Sequence, residues 1–249
     1  MKAILYIGHG TRSKKDMEEV KAFIQKVMEY NDISIQEFCF LKLTEPLIEE
    51  GFQRCLERGA TEITIVPLFL LAAGHIKDDI PQELTSIRKR YPNIEVKVRD
   101  PFGVQDKILD SIADLVRNTV SDLTPRDSIL LVGVGGSDPS IPSVFEEIVK
   151  GLRNRLETNH VSVCYLAAAK PGLQEGIEII SENSSNRVIV VPYLLFSGQL
   201  FNIVKQKVRE KQKQGQQFFC TNPLSEHPVL RETVIESTRG NEIDRATAG

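Results

Sequence analysis

Two histidines stand where a parallel sheet would present them to a ligand. His9 directly follows the first strand-like run of the sequence, and His75 lies just past the third. Ligands of open parallel sheets bind outside the carboxyl ends of the strands, so we expect both imidazoles at one edge. Two imidazoles from separate loops can hold a borderline divalent metal such as Fe²⁺, Co²⁺ or Ni²⁺ and leave coordination positions open. Neutral imidazole also accepts protons near pH 7, so the pair predicts a loosely held metal beside a base.

Charged residues close to these histidines in the sequence are candidates for the same edge. Glu45 could assist the metal or a proton, or it could simply place a favourable charge at the start of the following helix. Asp78 or Asp79 is expected to cap the third helix, with Pro81 in its first turn. The cationic side chains expected around this edge are Arg12, Lys14, Lys15, Lys42 and Lys77. Together they could bind a polycarboxylate.

Strand-like runs of aliphatic residues alternate with amphipathic helical stretches along the whole chain. This alternation predicts an α/β fold whose parallel sheets are covered by helices on both faces. In the first half the predicted strands are 2–7, 33–41, 62–70 and 94–99, and the predicted helices are 14–29, 46–58, 79–90 and 104–119. We therefore expect a sheet of four parallel strands from this half alone.

The second half repeats the first at an offset of 125 residues. Gly8 and Gly10 match Gly133 and Gly135, and the dipeptide Val66-Pro67 matches Val191-Pro192. The pattern is interrupted near 121–127, so we predict two duplicated lobes, 1–120 and 127–249.

Residues that differ between the repeats are more informative about chemistry than residues that are kept. His9 corresponds to Val134, and His75 corresponds to Leu200. Lys42 corresponds in the same way to Ala167. If the lobes face each other, one cleft should have an ionisable wall and an apolar wall. Replacing Val134 or Leu200 by Ala is expected to cost stability more than catalysis.

Composition and missing motifs exclude several classes of function. Lys and Arg total 31 against 34 Asp and Glu, a net charge of -3, which gives no general attraction to nucleic acid or anionic membrane. The longest apolar run, 63–74, is too short for a membrane span, and the start of the chain resembles a buried strand rather than a leader, so a cytoplasmic location is expected. The four cysteines form no C-x-x-C pair, and Asp138 occupies the third glycine position of a dinucleotide motif.

Four segments together resemble the class II tetrapyrrole metal chelatases, in the long, two-lobed form of the sirohydrochlorin chelatases. These segments are Gly8-His9-Gly10-Thr11-Arg12, Phe40-Leu41-Lys42-Leu43-Thr44-Glu45-Pro46, Val66 to His75 with Asp79-Ile80-Pro81, and Val191 to Gly198. The resemblance covers nearly the whole chain. It implies two chelatase-like lobes and insertion of Fe²⁺ or Co²⁺ into sirohydrochlorin, in sirohaem or cobalamin synthesis, without an energy cofactor or any tightly bound cofactor.

The resemblance also implies roles for individual residues. His9 and His75 would bind the metal and accept protons, with Glu45 as a further catalytic candidate. The macrocycle would be bound by Arg12, Lys14, Lys42, Lys77, Phe196, Leu200 and Phe201. Two alternatives stay open, a non-catalytic carrier of a tetrapyrrole or a metal, and a nickel chelatase for a related tetrapyrrole.

Lys42 departs from the family pattern, which usually has a glutamate at this position. A cation beside the metal opposes M²⁺ by Coulomb repulsion, so its expected task is to bind a substrate carboxylate. Lys42→Glu should therefore tighten Co²⁺ binding and speed the chemical step at saturating tetrapyrrole, while weakening tetrapyrrole binding; Lys42→Ala should be intermediate for the metal. Metal titration and initial rates measure these effects. No change in either would mean that Lys42 points away from the cleft.

Overall fold

A computed structural model of the chain describes residues 1–71, 75–183 and 186–239, with His75 and Ile76 described by their backbone alone. The first half contains β1 (Lys2–Gly8), α1 (Lys14–Glu29), β2 (Ile35–Phe40), α2 (Ile48–Glu57), β3 (Glu62–Pro67), a π-helical turn (His75–Asp79), α3 (Ile80–Arg90), β4 (Glu95–Val98) and α4 (Asp106–Thr119). The second half contains β5 (Ser128–Gly133), α5 (Ile141–Leu156), β6 (Val161–Tyr165), α6 (Leu173–Asn183), β7 (Val188–Pro192), α7 (Gln199–Lys213), β8 (Phe218–Cys220), a 3₁₀ turn (Leu224–Glu226) and α8 (Pro228–Arg239). Within the described residues, no helix combines the length and apolar character that crossing a bilayer requires.

The strands form two four-stranded sheets in which every pair is parallel. Their orders are β2-β1-β3-β4 and β6-β5-β7-β8, so the second sheet repeats the topology of the first. This confirms the predicted α/β class with two duplicated sheets. β3 ends earlier than predicted, at Pro67, because proline has no backbone N–H to continue the ladder. α2 begins later than predicted, since the Pro46 carbonyl accepts from the Phe40 N–H (2.8 Å) instead of starting the helix.

The last helix of each half is exchanged between the sheets. α4 packs on β7 and beside α5, whereas α8 packs on β3 and beside α1. The hydroxyl of Tyr193 donates to the carbonyl of Gly103 (2.7 Å), and the side-chain amide of Asn31 donates to the hydroxyl of Thr238 (2.7 Å). One central hydrophobic cluster therefore includes residues of both sheets and of α1, α4, α5 and α8. Each sheet is packed against helices from both halves of the sequence.

The outer faces of the sheets have cores of their own. α2 and α3 cover the first sheet, and the cluster includes Leu5, Ile65 and Leu84. α6 and α7 cover the second sheet around Val190 and Val204. Helices on both faces explain why the strands read as nearly continuous apolar runs.

The segment between the halves is held by one buried carboxylate. Asp127 is fully buried, and its oxygens accept from Arg187 Nε (3.0 Å) and Arg187 Nη2 (2.8 Å). The Thr124 N–H donates to the same carboxylate (2.7 Å), and Arg187 Nη1 also pairs with Asp122 (2.6 Å). Burial raises the pKa of Asp127, but the hydrogen bonds from Arg187 and Thr124 outweigh it and hold the pKa below its ordinary value.

Arg187→Ala should destabilise the protein by about 3–5 kcal/mol, because it leaves the Asp127 carboxylate buried without its cation. Urea unfolding followed by circular dichroism measures the change, with the exposed Arg126→Ala as the matched control. The native pKa of Asp127 lies below its unfolded value, so wild-type protein has this stabilisation above about pH 4 and loses it as pH falls through the native pKa. Equal unfolding midpoints for the two variants would contradict this account.

Candidate active site at the carboxyl edges of the sheets

The loop after β1 is bound to the loop after β2, and this fixes the backbone of His9 beside that of Lys42. The Lys42 N–H donates to the His9 carbonyl (3.3 Å). The hydroxyl of Thr44 accepts from the Thr11 N–H (3.2 Å) and donates to the Thr11 carbonyl (2.6 Å). Gly10 has φ +91°, and a Cβ there would collide with the Lys42 carbonyl oxygen, so the close approach requires glycine.

The second half builds the same loops without the ionisable side chains. Gly135 has φ +81°, and a Cβ there would collide with the Ala167 carbonyl oxygen. The Ala167 N–H donates to the Val134 carbonyl (2.8 Å). The loop geometry therefore belongs to the fold, whereas the imidazole of His9 and the ammonium of Lys42 are particular to the first half.

The imidazole of His9 contacts its own loop. Its Nδ1 lies 3.1 Å from the Gly10 carbonyl oxygen, and in a hydrogen bond between these atoms Nδ1 is the donor, because a carbonyl only accepts. In the neutral ring the lone pair then resides on Nε2, which is the arrangement found in most metal-binding histidines. The ring also stands edge-on to Phe69, with centroids 6.3 Å apart. His9 is thus oriented with one nitrogen suited to a metal or a proton.

His75 opens the π-helical turn that follows β3, so its backbone lies on the loop expected for it, while its side chain lies outside the described residues. The capping prediction needs correction at this turn. Asp79 occupies the N-cap position of α3 but makes no side-chain hydrogen bond to the helix N-terminus, because the chain enters α3 already helical. Pro81 lies in the first turn as expected. The described side chains contain no group of three His, Cys, Asp or Glu residues suited to a metal.

The predicted charged residues have different surroundings. Arg12, Lys14 and Glu45 are exposed, and Lys42 is half-buried. Glu45 lies two residues before Leu47, the N-cap of α2, and its roles as a catalytic group or as a favourable charge at that helix stay predictions; Glu50 accepts from the Leu47 N–H (2.9 Å). Lys77 differs most from its prediction, because its ammonium pairs with a carboxylate of the second half, described below.

The predicted apolar wall is partly corrected. Val134 and Leu200 are 42% and 40% exposed, so replacing them should cost little stability, contrary to the sequence-based expectation. Phe196 is half-buried, edge-on to Phe23. Phe201, near the start of α7, is only 5% exposed, and the ammonium of Lys205 lies over its ring, 5.6 Å from the centroid. Exposed apolar residues that the sequence analysis missed are Leu43, on the loop after β2, and Ile203, one helical turn after Leu200.

The four cysteines take no part in this site. All are free thiols, and three of them are buried. Burial raises the pKa of Cys164 to about 12 and that of Cys220 to about 11. Thiolate is the form that binds metals, so these side chains are poor ligands at neutral pH.

Gly10→Ala and Gly135→Ala form a matched pair, because both add a Cβ against a carbonyl at positive φ. Each should lower stability by about 1–3 kcal/mol through strain. Only Gly10→Ala should also weaken Co²⁺ binding, since only that loop carries a histidine. Thermal unfolding and Co²⁺ titration measure the two effects. Equal loss of metal affinity in both variants would show that the loop geometry does not position His9.

Comparison with known proteins places the chain in a family. The CbiX family model matches residues 3–119 and again 128–240. A sirohydrochlorin ferrochelatase from Priestia megaterium is 41% identical over 250 residues, covering 98% of this chain and 94% of that protein. Two solved structures are each 31% identical and cover 96% of this chain and 94% of their own: SirB from Bacillus subtilis with Fe³⁺, TM-score 0.85, and the sirohydrochlorin chelatase SirB from Bacillus subtilis subspecies spizizenii in complex with cobalt, TM-score 0.81. The chain therefore belongs to the CbiX family, together with these sirohydrochlorin chelatases.

Proposed function

We propose that this protein inserts a divalent metal, Fe²⁺ foremost and Co²⁺ as a second substrate, into sirohydrochlorin. The observation that carries the proposal is the position of His9 on the loop after β1, at the carboxyl edge of the sheet, where its Nδ1 lies 3.1 Å from the Gly10 carbonyl. The reaction and the two metals are proposed by analogy with the relatives, which include a sirohydrochlorin ferrochelatase and a sirohydrochlorin chelatase in complex with cobalt.

The reaction needs a metal that can be released and groups that take up protons. The macrocycle exchanges two pyrrole N–H protons for M²⁺, so charge balances when two protons leave. A site of two imidazoles leaves coordination positions open. The nitrogens of the macrocycle can therefore bind the metal before the histidines dissociate from it. His9 and His75 then accept the released protons as neutral bases.

The carboxylates of sirohydrochlorin would meet the cationic rim of the first half. Arg12 is exposed on the loop between β1 and α1, Lys14 is exposed at the first position of α1, and Lys42 follows β2. Each can pair with a substrate carboxylate, and several such pairs orient a polycarboxylate. Lys42 stands where the family usually has a glutamate, so its charge serves the substrate rather than the metal.

The apolar face of the macrocycle would contact exposed aliphatic side chains. Val134 and Leu200 follow β5 and β7, and Leu43 follows β2. Exposed large apolar residues on strand-end loops are a feature of ligand-binding surfaces. Insertion itself needs no energy cofactor in this scheme, because four ring nitrogens bind the metal more strongly than two imidazoles.

His9→Ala and His75→Ala should each slow insertion by at least about tenfold, because each removes a metal ligand and a base. The matched control is His160→Ala, an exposed histidine that precedes β6 at the opposite edge of the sheet. Purified protein is mixed with sirohydrochlorin and Fe²⁺ or Co²⁺, and the absorption spectrum is followed. Thermal unfolding should be nearly unchanged in all three variants.

Two outcomes would contradict the proposal. Insertion by the His9→Ala, His75→Ala double variant at nearly the wild-type rate would end the two-histidine mechanism. A spectral change on binding without turnover by the wild type would support a tetrapyrrole carrier instead of an enzyme.

A further inference from the structure

Among the described residues, charged side chains join the halves at the carboxyl edges of the sheets in two places, besides the bond from the Tyr193 hydroxyl to the Gly103 carbonyl. One lies between α1 and the segment 197–199 that follows β7. The other lies between the π-helical turn His75–Asp79 that follows β3 and the residues that open α5. Because α1 corresponds to α5 and β3 to β7 in the duplication, the contacts occupy related positions. Their chemistry differs, which suggests different tasks.

The first contact consists of carboxylates with neutral donors. Glu19 accepts from the backbone N–H of Ser197 (3.0 Å), from the hydroxyl of Ser197 and from the hydroxyl of Ser225 (3.3 Å). Asp16 accepts from the N–H of Gln199 (3.2 Å) at the start of α7. These several bonds to backbone and short side chains anchor this flank.

The second contact is an ion pair with a prearranged acceptor. Lys77 Nζ lies 2.7 Å from Asp138 Oδ2 and 3.0 Å from the hydroxyl oxygen of Ser140. Ser140 in turn donates to Asp138 Oδ1 through its N–H (2.9 Å) and its hydroxyl (2.6 Å). The bonds from Lys77 and Ser140 hold the pKa of Asp138 well below its usual range. Asp138 is therefore ionised and oriented by its own loop, and Lys77 is the partner that reaches it from the other half.

The position of this pair links two parts of the site. Lys77 lies two residues after His75 in the same π-helical turn. Asp138 lies four residues after Val134, on the loop that leads from β5 to α5. The pair thus ties the turn that carries a predicted metal ligand to the loop that carries an exposed apolar residue.

We propose that Asp138 is a positioning residue for metal insertion: through Lys77 it fixes the turn of His75 against the second half. The inference rests on the proposed function. It assigns Lys77 to an internal carboxylate rather than to the substrate carboxylate that the sequence predicts. The Lys77 side chain is 46% accessible and that of Asp138 is 14% accessible, so the ammonium is well solvated and the pair should add little to stability; its loss should instead lower kcat and Co²⁺ affinity.

The test compares charge removal with charge exchange. Asp138→Asn keeps the size of the side chain but removes the ion pair. It should lower kcat about tenfold at saturating sirohydrochlorin and Co²⁺, because a small displacement of a reacting group slows the reaction strongly. KM for sirohydrochlorin should stay within about twofold. The double variant Lys77→Asp, Asp138→Lys should recover most of the lost rate, whereas either charge reversal alone should not.

Two further measurements separate positioning from folding and from the proposed function. Glu236→Gln is the matched control, because it breaks an exposed ion pair with Lys107 that also joins the halves, between α8 and α4. It should change neither kcat nor Co²⁺ affinity. Co²⁺ affinity without tetrapyrrole, read from the visible absorption of the metal, should fall in Asp138→Asn and in Lys77→Met and return on charge exchange. This readout still tests the inference if the wild type inserts no metal, a result that would defeat only the proposed function.

Three results would overturn the inference. A lower KM for sirohydrochlorin with unchanged kcat in Asp138→Asn would mean that Lys77 binds substrate once released. An unchanged kcat and Co²⁺ affinity would mean that the pair positions nothing. A loss of rate in Asp138→Asn that charge exchange does not restore, with the Glu236→Gln control intact and Co²⁺ affinity unchanged, would assign the effect to Asp138 alone.

Discussion

Parallel sheets are covered on both faces, and in this protein the inner faces of the two sheets are covered by one shared helical layer. α1 and α8 cover the inner face of the first sheet, and α5 and α4 cover that of the second. Because α4 and α8 are exchanged, neither sheet can bury its inner face without the other half of the chain. This sharing sets the relation between the two carboxyl edges, on which the loops of the candidate site stand.

Comparison of the two halves distinguishes residues that both folds require from residues that only one half carries. Gly10 and Gly135 bring equivalent loops against equivalent carbonyls, so each half has the same platform. The first platform presents His9 and the second presents Val134. An imidazole on one platform and an exposed aliphatic side chain on the other suit the proposed substrate, which is both a metal ligand and a large apolar ring. The two loops therefore share one backbone conformation, and the difference between the halves lies in the side chains that these loops carry.

The halves are joined at this edge by contacts of unequal character. Glu19 uses hydroxyl and backbone donors, which are insensitive to small changes in charge nearby. Lys77 and Asp138 form a charge pair (2.7 Å) whose lysine lies two residues after His75. An ion pair of this kind responds to any charge that is brought near it. The count of lysines therefore overstates the charge open to a substrate at this rim, because Lys77 is already paired within the protein.

The sequence alone determined the α/β class, the four strands of each half and the loops that carry His9 and His75, because these follow from local periodicity and from one constant offset. It also placed α1 and the start of α3 closely, since α1 has a clear amphipathic pattern and α3 has Pro81 in its first turn. Only the tertiary structure decided the exchange of α4 and α8, the burial of Phe201, the exposure of Val134 and Leu200, and the pairing of Lys77 with Asp138. Each of these depends on how the two halves pack, and Lys77 and Asp138 are 61 residues apart, a separation that no periodic pattern encodes.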